Sequence, residues 1–426
     1  MLHSLAQCRL RATFPAALRQ ALPPTHALRP RLLAARAASS TALSVASATP
    51  DSTAGCLVSP GGSEPASLPP ALFTTPIFYP SAVPHVGHLH SLVLTDVLAR
   101  YARLRAPGRP VLMSTGTDEH GLKIQQAARK AGLAEPAFVE SLSGRFRQLA
   151  DDAGVDYTTF IRTSEPRHHA AVADFWNDLM AKGLIYKGSH EGWYAISDEC
   201  FYPANQVHDV PSPTEPGTTI KVSIETGSAV EWTAEENYKF RMSEFRQRLI
   251  DWLESDPHAI TPPKYAASVL ADLRAGPLDD LSISRPAARL TWGVPVPGDA
   301  SHTVYVWFDA LVNYLTVLGY PSSTTPAAAA NPPPGWPAEL QVVGKDIVRF
   351  HAIYWPAMLM ARGFEPPRRL LVHAHWTMRK MKMSKSTGNV ADPNEALRRA
   401  SVESVRAYLM GIGSDLRDDA GQCNCP

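Results

Sequence analysis

The chain has 426 residues, 45% of them hydrophobic, and carries 41 basic against 40 acidic side chains, a formal net charge of +1. That length and apolar content suffice for two or more domains with cores of their own, and no run of about 18 apolar residues is present, so no membrane span is expected. Five scattered cysteines (Cys8, Cys56, Cys200, Cys423 and Cys425) argue against a disulfide scaffold and suit a reducing compartment. Cys423 and Cys425 make no zinc site without partners.

Residues 1–50 hold six arginines (Arg9, Arg11, Arg19, Arg29, Arg31 and Arg36) and no acidic residue before Asp51. This basic, acid-poor composition predicts a mitochondrial transit peptide; a disordered basic arm is the alternative. Without those arginines the balance becomes 35 basic against 40 acidic, a charge of −5. The remaining body is then no generic polyanion binder, and any nucleic-acid surface must be a local patch. Residues 37–70 are rich in Ala, Ser, Pro and Gly and read as a linker holding the processing site, with the linker proper at 51–70.

The apolar run Leu72–Phe78 reads as a buried strand, and Leu89–Tyr101 has helical apolar spacing. Between them Tyr79–His90, Y-P-S-A-V-P-H-V-G-H-L-H, puts His85, Gly87 and His88 at a strand-to-helix turn. A helix N-terminus carries unpaired N–H groups and a positive dipole end, which suits phosphate. Two imidazoles add donors there, and Gly87, without a Cβ, lets a flat base approach the backbone. Ordinary capping or surface histidines are the alternative reading. Pro110–Gly121 is an apolar run ending in a polar turn, and Leu122–Lys130 reads as helix.

Strand–helix–strand–helix argues for an α/β fold with a doubly wound parallel sheet, whose ligands bind beyond the carboxyl ends of the strands. Asp118 and His88 both fall at such ends. The dinucleotide fingerprint G-x-G-x-x-G is absent here, which disfavours a nicotinamide enzyme. Residues 135–183 hold more amphipathic helix, including Ala170–Met180. Residues 71–185 therefore form the first half of the sheet domain. The aromatic and proline-broken stretch 186–283 reads as an insertion outside the parallel sheet.

The second half is predicted over 284–373. Val304–Phe308 returns to strand character and Asp309–Leu318 to helix, and a Pro/Ala/Ser loop covers 321–338. Leu340–Val343 is a strand ending at Gly344-Lys345-Asp346, with a helix through Ile347–Met358; Leu370–His373 is a last strand. Beyond it lies Lys382-Met383-Ser384-Lys385-Ser386-Thr387-Gly388. Such a loop is able to close over polyphosphate with two ammonium charges; a solvated basic loop is the alternative. Residues 374–412 hold this loop and the start of a helical region.

H-x-G-H near the first strand and K-M-S-K-S after the last form a specific pair. With Y-V-W-F-D-A-L and G-K-D-I-V-R-F-H-A-I-Y-W-P-A, the chain resembles the class I aminoacyl-tRNA synthetases over about residues 72–410. Within that class it is similar to methionyl-tRNA synthetases of the organellar and bacterial kind. The resemblance implies a Rossmann-like catalytic domain split by a connective insertion, working in the mitochondrial matrix. It implies that a methionine carboxylate attacks the α-phosphate of ATP, that pyrophosphate leaves, and that the acyl group passes to methionine tRNA. Magnesium would accompany ATP.

By this resemblance His85 and His88 would contact the phosphates, and Lys382 and Lys385 would stabilise the departing pyrophosphate, Lys385 above all. Gly87, Gly344, Asp346 and Trp376 match positions near ATP, with Asp346 accepting from ribose hydroxyls. The methionine pocket would use residues matching Ile77, Tyr79, Trp307, Ala310, Leu311 and Tyr314, with Ile347, His351 and Trp355. A thioether suits an apolar, aromatic-lined pocket. Pro76 matches the position beside the substrate backbone, and Asp118 the carboxylate that holds the ammonium group. Read from residue type alone, Trp307, Tyr314 and Trp355 are equally core aromatics.

Three departures from the family pattern carry expectations. Only Cys200 stands where many relatives have Cys-x-x-Cys knuckles, so no structural zinc is expected. The 321–338 loop is longer and richer in Pro and Ala than usual, which is expected to affect only a surface connection. Finally, Glu395–Gly411 reads as the first helix of a helical region, followed by a polar tail at 413–426 without apolar periodicity. That ending predicts a truncated form that makes adenylate but charges tRNA poorly, or one that binds ligands or partners without charging. It also predicts an exposed apolar face along Ala396–Met410.

Overall fold

The computed structural model describes residues 68–412, apart from 203, 213–214, 216, 225, 322–330, 375, 379–380 and 383–390. The expected transit peptide, the tail at 413–426 and Lys385 therefore lie outside the described residues. The backbone of Lys382 is described, in a short hairpin strand, Met381–Lys382, paired with Thr377–Met378.

The chain enters its central sheet at β1 (Ala71–Thr74), passes through α1 (Val86–Arg105) to β2 (Val111–Thr117), then through α2 (Leu122–Ala131) and α3 (Glu135–Asp152) to β3 (Thr159–Arg162). After α4 (Pro166–Ala181) come β4 (Ile185–Ala195), β5 (Cys200–Tyr202), β6 (Val207–Pro211), β7 (Thr219–Ser223) and β8 (Glu231–Phe240). α5 (Arg246–Ser255), β9 (Ile260–Thr261) and α6 (Pro263–Ala275) lead into four short strands: β10 (Leu281–Ser282), β11 (Ser284–Pro286), β12 (Pro295–Val296) and β13 (Asp299–Val304). α7 (Val306–Thr316), β14 (Leu340–Gly344), a helical stretch over 345–362 and β15 (Leu370–His373) complete the domain.

The central sheet has six parallel strands in the order β3-β2-β1-β14-β15-β9. The winding reverses between β1 and β14, and that switch point opens a crevice beyond the carboxyl ends. Helices cover both faces, so the strands are buried nearly throughout, as in other parallel sheets. Successive residues feed opposite layers. Leu72 and Val343 join Trp176, Phe308 and Trp355 on one side. Ala71 and Phe73 join Leu89, Phe146 and Leu409 on the other.

The doubly wound sheet is as the sequence predicts, with four local differences. First, the insertion is not wholly outside the sheet. Its main body is an antiparallel sheet, β10-β8-β4-β5, but β9 returns to the parallel sheet beside β15. A two-residue strand followed by Pro262-Pro263 is too short to carry a periodic signal. Second, the apolar run Val304–Phe308 is not one strand: β13 ends at Val304 and α7 begins at Val306. A short buried apolar run does not distinguish strand from helix.

Third, Ile347–Met358 is not one regular helix. A 3₁₀ turn (Lys345–Ile347) and a π-helical turn (Phe350–Tyr354) precede an α-helix at Trp355–Arg362. Pro356 has no N–H for the Ala352 carbonyl and its ring crowds that turn, which favours the wider coil. Fourth, Glu395–Gly411 is two helices, Pro393–Arg399 and Val402–Ile412. The apolar face expected to be exposed is docked: Val405 and Leu409 are buried in the layer that contains α1. Arg406 pairs with the buried Asp96 of α1, which also takes Arg100 at 2.8 Å and the Asp156 N–H at 2.9 Å.

Candidate active site

A cavity of about 440 Å³ opens at the switch point, beyond the carboxyl ends of β1, β2, β14 and β15, with insertion residues 197–202 and Gln206 along one wall. That volume suits a small substrate. The turn after β1 contributes the histidines. His85 caps α1: its Nδ1 accepts the Gly87 N–H at 3.1 Å, and His88 Nδ1 accepts the His85 N–H at 3.0 Å. An accepting Nδ1 leaves the proton of a neutral ring on Nε2. Both rings thus carry an Nε2–H donor at a helix N-terminus, stacked 3.8 Å apart. Capping uses Nδ1 and is compatible with a donor role at Nε2. Gly87 has a nearer reason than base approach: a Cβ there would lie 2.9 Å from His85 Cε1.

Gly344 and Asp346 line the same cavity at the end of β14, as do His373 and Trp376 after β15. His373 Nε2 meets Ser91 Oγ at 2.9 Å. Trp376 is buried, and its indole N–H has no hydrogen-bond partner among the described residues.

The far end is aromatic. Trp307 stacks on Phe350 at 3.7 Å and meets His351 edge-on at 6.5 Å. His351 Nδ1 lies 2.9 Å from the Ile347 carbonyl and Nε2 2.7 Å from the Tyr314 hydroxyl. Burial lowers the His351 pKa to about 4, so the ring is neutral at pH 7. It donates from Nδ1 to the carbonyl and accepts the Tyr314 proton at Nε2. Ile77, Tyr79, Ala310, Leu311 and Ile347 complete a recess without net charge, and Pro76 lies beside it.

Carboxylates gather between the two ends. Asp118 is buried, and its Oδ1 has no hydrogen-bond partner among the described residues. Burial, then Asp309 and Glu199, push its pKa well above the usual carboxylate range. Asp309 is different: burial alone would raise it, but His120 at 2.6 Å and His168 at 2.8 Å hold it below that range. A buried carboxylate oxygen without a donor is costly, and a cation is what relieves it.

The model of the family described as tRNA synthetases class I (M) matches residues 71–421. The chain belongs to this family. The mitochondrial methionine–tRNA ligase of Homo sapiens is 52% identical over 344 residues, covering 80% of this chain and 56% of the relative. A probable mitochondrial methionine–tRNA ligase of Schizosaccharomyces pombe is 48% identical, covering 82% and 63%. Among solved structures, Mycobacterium tuberculosis methionyl-tRNA synthetase bound by methionyl-adenylate superposes with a TM-score of 0.72 at 40% identity, covering 80% of this chain and 64% of that one. The chain thus spans a little over half the length of the curated human relative. The family match reaches into residues 413–421, part of the stretch that the sequence analysis set apart as a polar tail.

In this class I synthetase, the described residues that the sequence singled out share one cavity, with two exceptions. Trp355 is fully buried and does not reach it; it stands behind Tyr314 at 6.1 Å and packs on Phe175 and Trp336. This position favours the core reading for Trp355, while its neighbour Tyr354 lines the cavity. Lys382 is the other: nothing is described of its side chain.

Four contributors went unnoticed in the sequence. Phe350 lay inside the matched G-K-D-I-V-R-F-H segment and was open to detection there. The buried His120 and His168 beside Asp309 come from separate elements and leave no local pattern. Glu199 comes from the insertion, where no periodicity pointed to the cavity.

Proposed function

We propose that this chain activates methionine with ATP to give methionyl-adenylate, and delivers the methionyl group to methionine tRNA in the mitochondrial matrix. The observation that carries the proposal is the Asp118 Oδ1 atom: a buried, unpartnered carboxylate oxygen in the cavity that also holds the histidine turn and the aromatic recess. An α-amino acid with an apolar side chain complements all three. Its ammonium group meets Asp118, its side chain enters the recess, and its carboxylate points toward the phosphates. A thioether sulfur favours aromatic edges of the kind that Trp307, Tyr314 and Phe350 present. The relatives' names, methionine–tRNA ligase and methionyl-tRNA synthetase, support the same substrate.

In the reaction, a methionine carboxylate oxygen attacks the α-phosphorus, a new P–O bond forms, and the bond to pyrophosphate breaks with its electrons on the leaving group. No proton has to move, so catalysis is alignment and charge stabilisation. His85 and His88 would donate from Nε2 to phosphate oxygens as charge shifts, aided by the α1 N-terminus. Lys382 and Lys385 would bring ammonium charge to the departing pyrophosphate. Asp346, at the β14 end, would accept from ribose hydroxyls, with Gly344 and Trp376 beside the adenosine. Magnesium would arrive with ATP as part of the substrate. Phosphate oxygens and water would be its main ligands.

ATP–pyrophosphate exchange with methionine, leucine, isoleucine and cysteine tests the activation step, and charging of methionine tRNA by the same preparation tests the transfer. Exchange with methionine alone is expected. Preference for any other amino acid overturns the substrate. Import of the whole chain into isolated mitochondria, with loss of an N-terminal segment of about 50 residues, tests the location.

A further inference from the structure

Glu199 is the one non-glycine residue with a positive φ among the described residues, at 53°. A glutamate held in the left-handed region costs free energy and persists only where surrounding contacts enforce it. Here they do. The preceding residue, Asp198, accepts hydrogen bonds from Tyr202 at 2.9 Å, Ser228 at 2.7 Å and Thr226 at 2.5 Å, which ties this turn of the insertion to residues 226–228. The turn then drives the Glu199 side chain out of the insertion and under the amino-acid end of the cavity. Only 5% of the residue remains exposed.

Both carboxylate oxygens are engaged across the domain boundary. Oε1 accepts the Lys123 backbone N–H at 2.5 Å, at the start of α2, and Oε2 lies 3.0 Å from the Tyr79 hydroxyl. Gly121 makes room: its φ is 103°, and a Cβ there would overlap the Glu199 carboxylate and the Tyr79 hydroxyl. The Tyr79 hydroxyl also reaches the His120 carbonyl at 2.9 Å. It has two acceptors and one proton. Both contacts are satisfied together only when Glu199 carries a proton of its own and donates it to the Tyr79 oxygen.

We propose that Glu199 is a positioning residue: it fixes the Tyr79 ring in the wall of the amino-acid recess, and so couples the insertion to methionine binding. This rests on the function proposed above. Burial raises the Glu199 pKa to about 7, with Lys123, Tyr79 and Arg285 opposing that rise. The groups facing it are Tyr79 from the β1 turn, Asp118 and Lys123 from the β2–α2 turn, Tyr194 from β4 and Arg285 from β11. Ionisation removes the proton that Glu199 gives to the Tyr79 oxygen, so one of the two contacts on Tyr79 is lost as pH rises through about 7, and the part of methionine affinity that depends on this positioning falls with it.

Glu199→Gly tests the proposal, because glycine suits the backbone while removing the side chain. It should raise the methionine KM about fivefold, the size of one neutral hydrogen bond, with the ATP KM and kcat nearly unchanged. Glu199→Gln should stay close to wild type, since its carbonyl can accept from Lys123 and its amide can donate to Tyr79. Its methionine KM should rise less than the wild-type value between pH 6 and pH 8. Tyr79→Phe combined with Glu199→Gly should cost no more than the larger single change, since one acts through the other.

An unchanged methionine KM in Glu199→Gly, equal rises in both KM values, or additive effects with Tyr79→Phe overturn the proposal. If the wild-type protein shows no methionine-dependent exchange, the function proposed above fails instead. The Tyr79–Glu199 link is then read from thermal unfolding of the same four proteins, where additivity of the two changes in Tm overturns it.

Discussion

The two ends of the cavity are built by different means. At the phosphate end the polar groups are ordered by the backbone: Nδ1 of His85 and of His88 each take an N–H of the same turn, and Nε2 is thereby set as a donor on a helix N-terminus. At the amino-acid end they are ordered by burial. Asp118 and Glu199 are almost out of solvent, while Asp309 is held by two imidazoles. One end offers donors to an anion and the other carboxylates to a cation. Under the function proposed above, a zwitterionic amino acid would lie in one orientation, with its ammonium group at the carboxylates and its own carboxylate toward the phosphates. That polarity would align a reaction in which no proton is transferred.

The comparison breaks if variants at the two ends affect the same substrate. Asp118→Asn should have the largest effect, lowering kcat/KM for methionine on the order of 10³-fold, because the substrate ammonium loses its charged partner in a buried site. The ATP KM should change little, and parallel losses for both substrates would merge the two ends into one. Lys385→Ala should lower kcat for adenylation by roughly 10²–10³-fold with methionine binding retained, as befits a charge needed most when pyrophosphate leaves. Wild-type exchange in that variant would return the lysine loop to a solvated surface loop.

Smaller effects sharpen the division. Trp307→Ala should raise the methionine KM on the order of tenfold, the size of a lost apolar wall, and the ATP KM less. Equal rises would favour the reading of Trp307 as a core aromatic. The smallest expected effect is on pH. Burial raises both Asp118 and Glu199, Glu199 to about 7, so each binds its proton more tightly in the folded protein than in the unfolded chain. Their protonated forms favour the fold at low pH, and that contribution is lost as pH rises through the folded values. Glu199→Gln should therefore gain Tm relative to wild type between pH 5 and pH 8, by a few degrees. A constant difference across that range would mean that Glu199 does not titrate there.

What the sequence made legible follows from how each part is encoded. The strands β1, β2 and β14 begin as apolar runs and end in polar turns, and the residues beyond those ends stand out because ligands of such sheets bind there. His85, Gly87, His88, Asp118 and Asp346 are of this kind, and all line the one cavity. The recess was legible through the family resemblance, and Trp355 shows its limit: a matched aromatic residue lies in the core because the π-helical turn before Pro356 sets which side chains face inward. Glu199 was not legible at all. Its place depends on a left-handed backbone held by Asp198 and on a glycine 78 residues earlier that leaves room for its carboxylate. Such tertiary contacts leave no periodic trace. β9 escaped for the simpler reason that two residues carry no pattern.

The central claim is that the buried carboxylate of Asp118 orients the amino acid by its ammonium group. Equilibrium binding of methionine and of its desamino analogue, 4-methylthiobutanoate, to the wild-type protein and to Asp118→Asn tests it most directly. The wild-type protein should prefer methionine by on the order of 10²-fold or more, and Asp118→Asn should bind the two ligands almost equally. The same preference for methionine in both proteins would contradict the claim and move ammonium recognition to another group in the cavity.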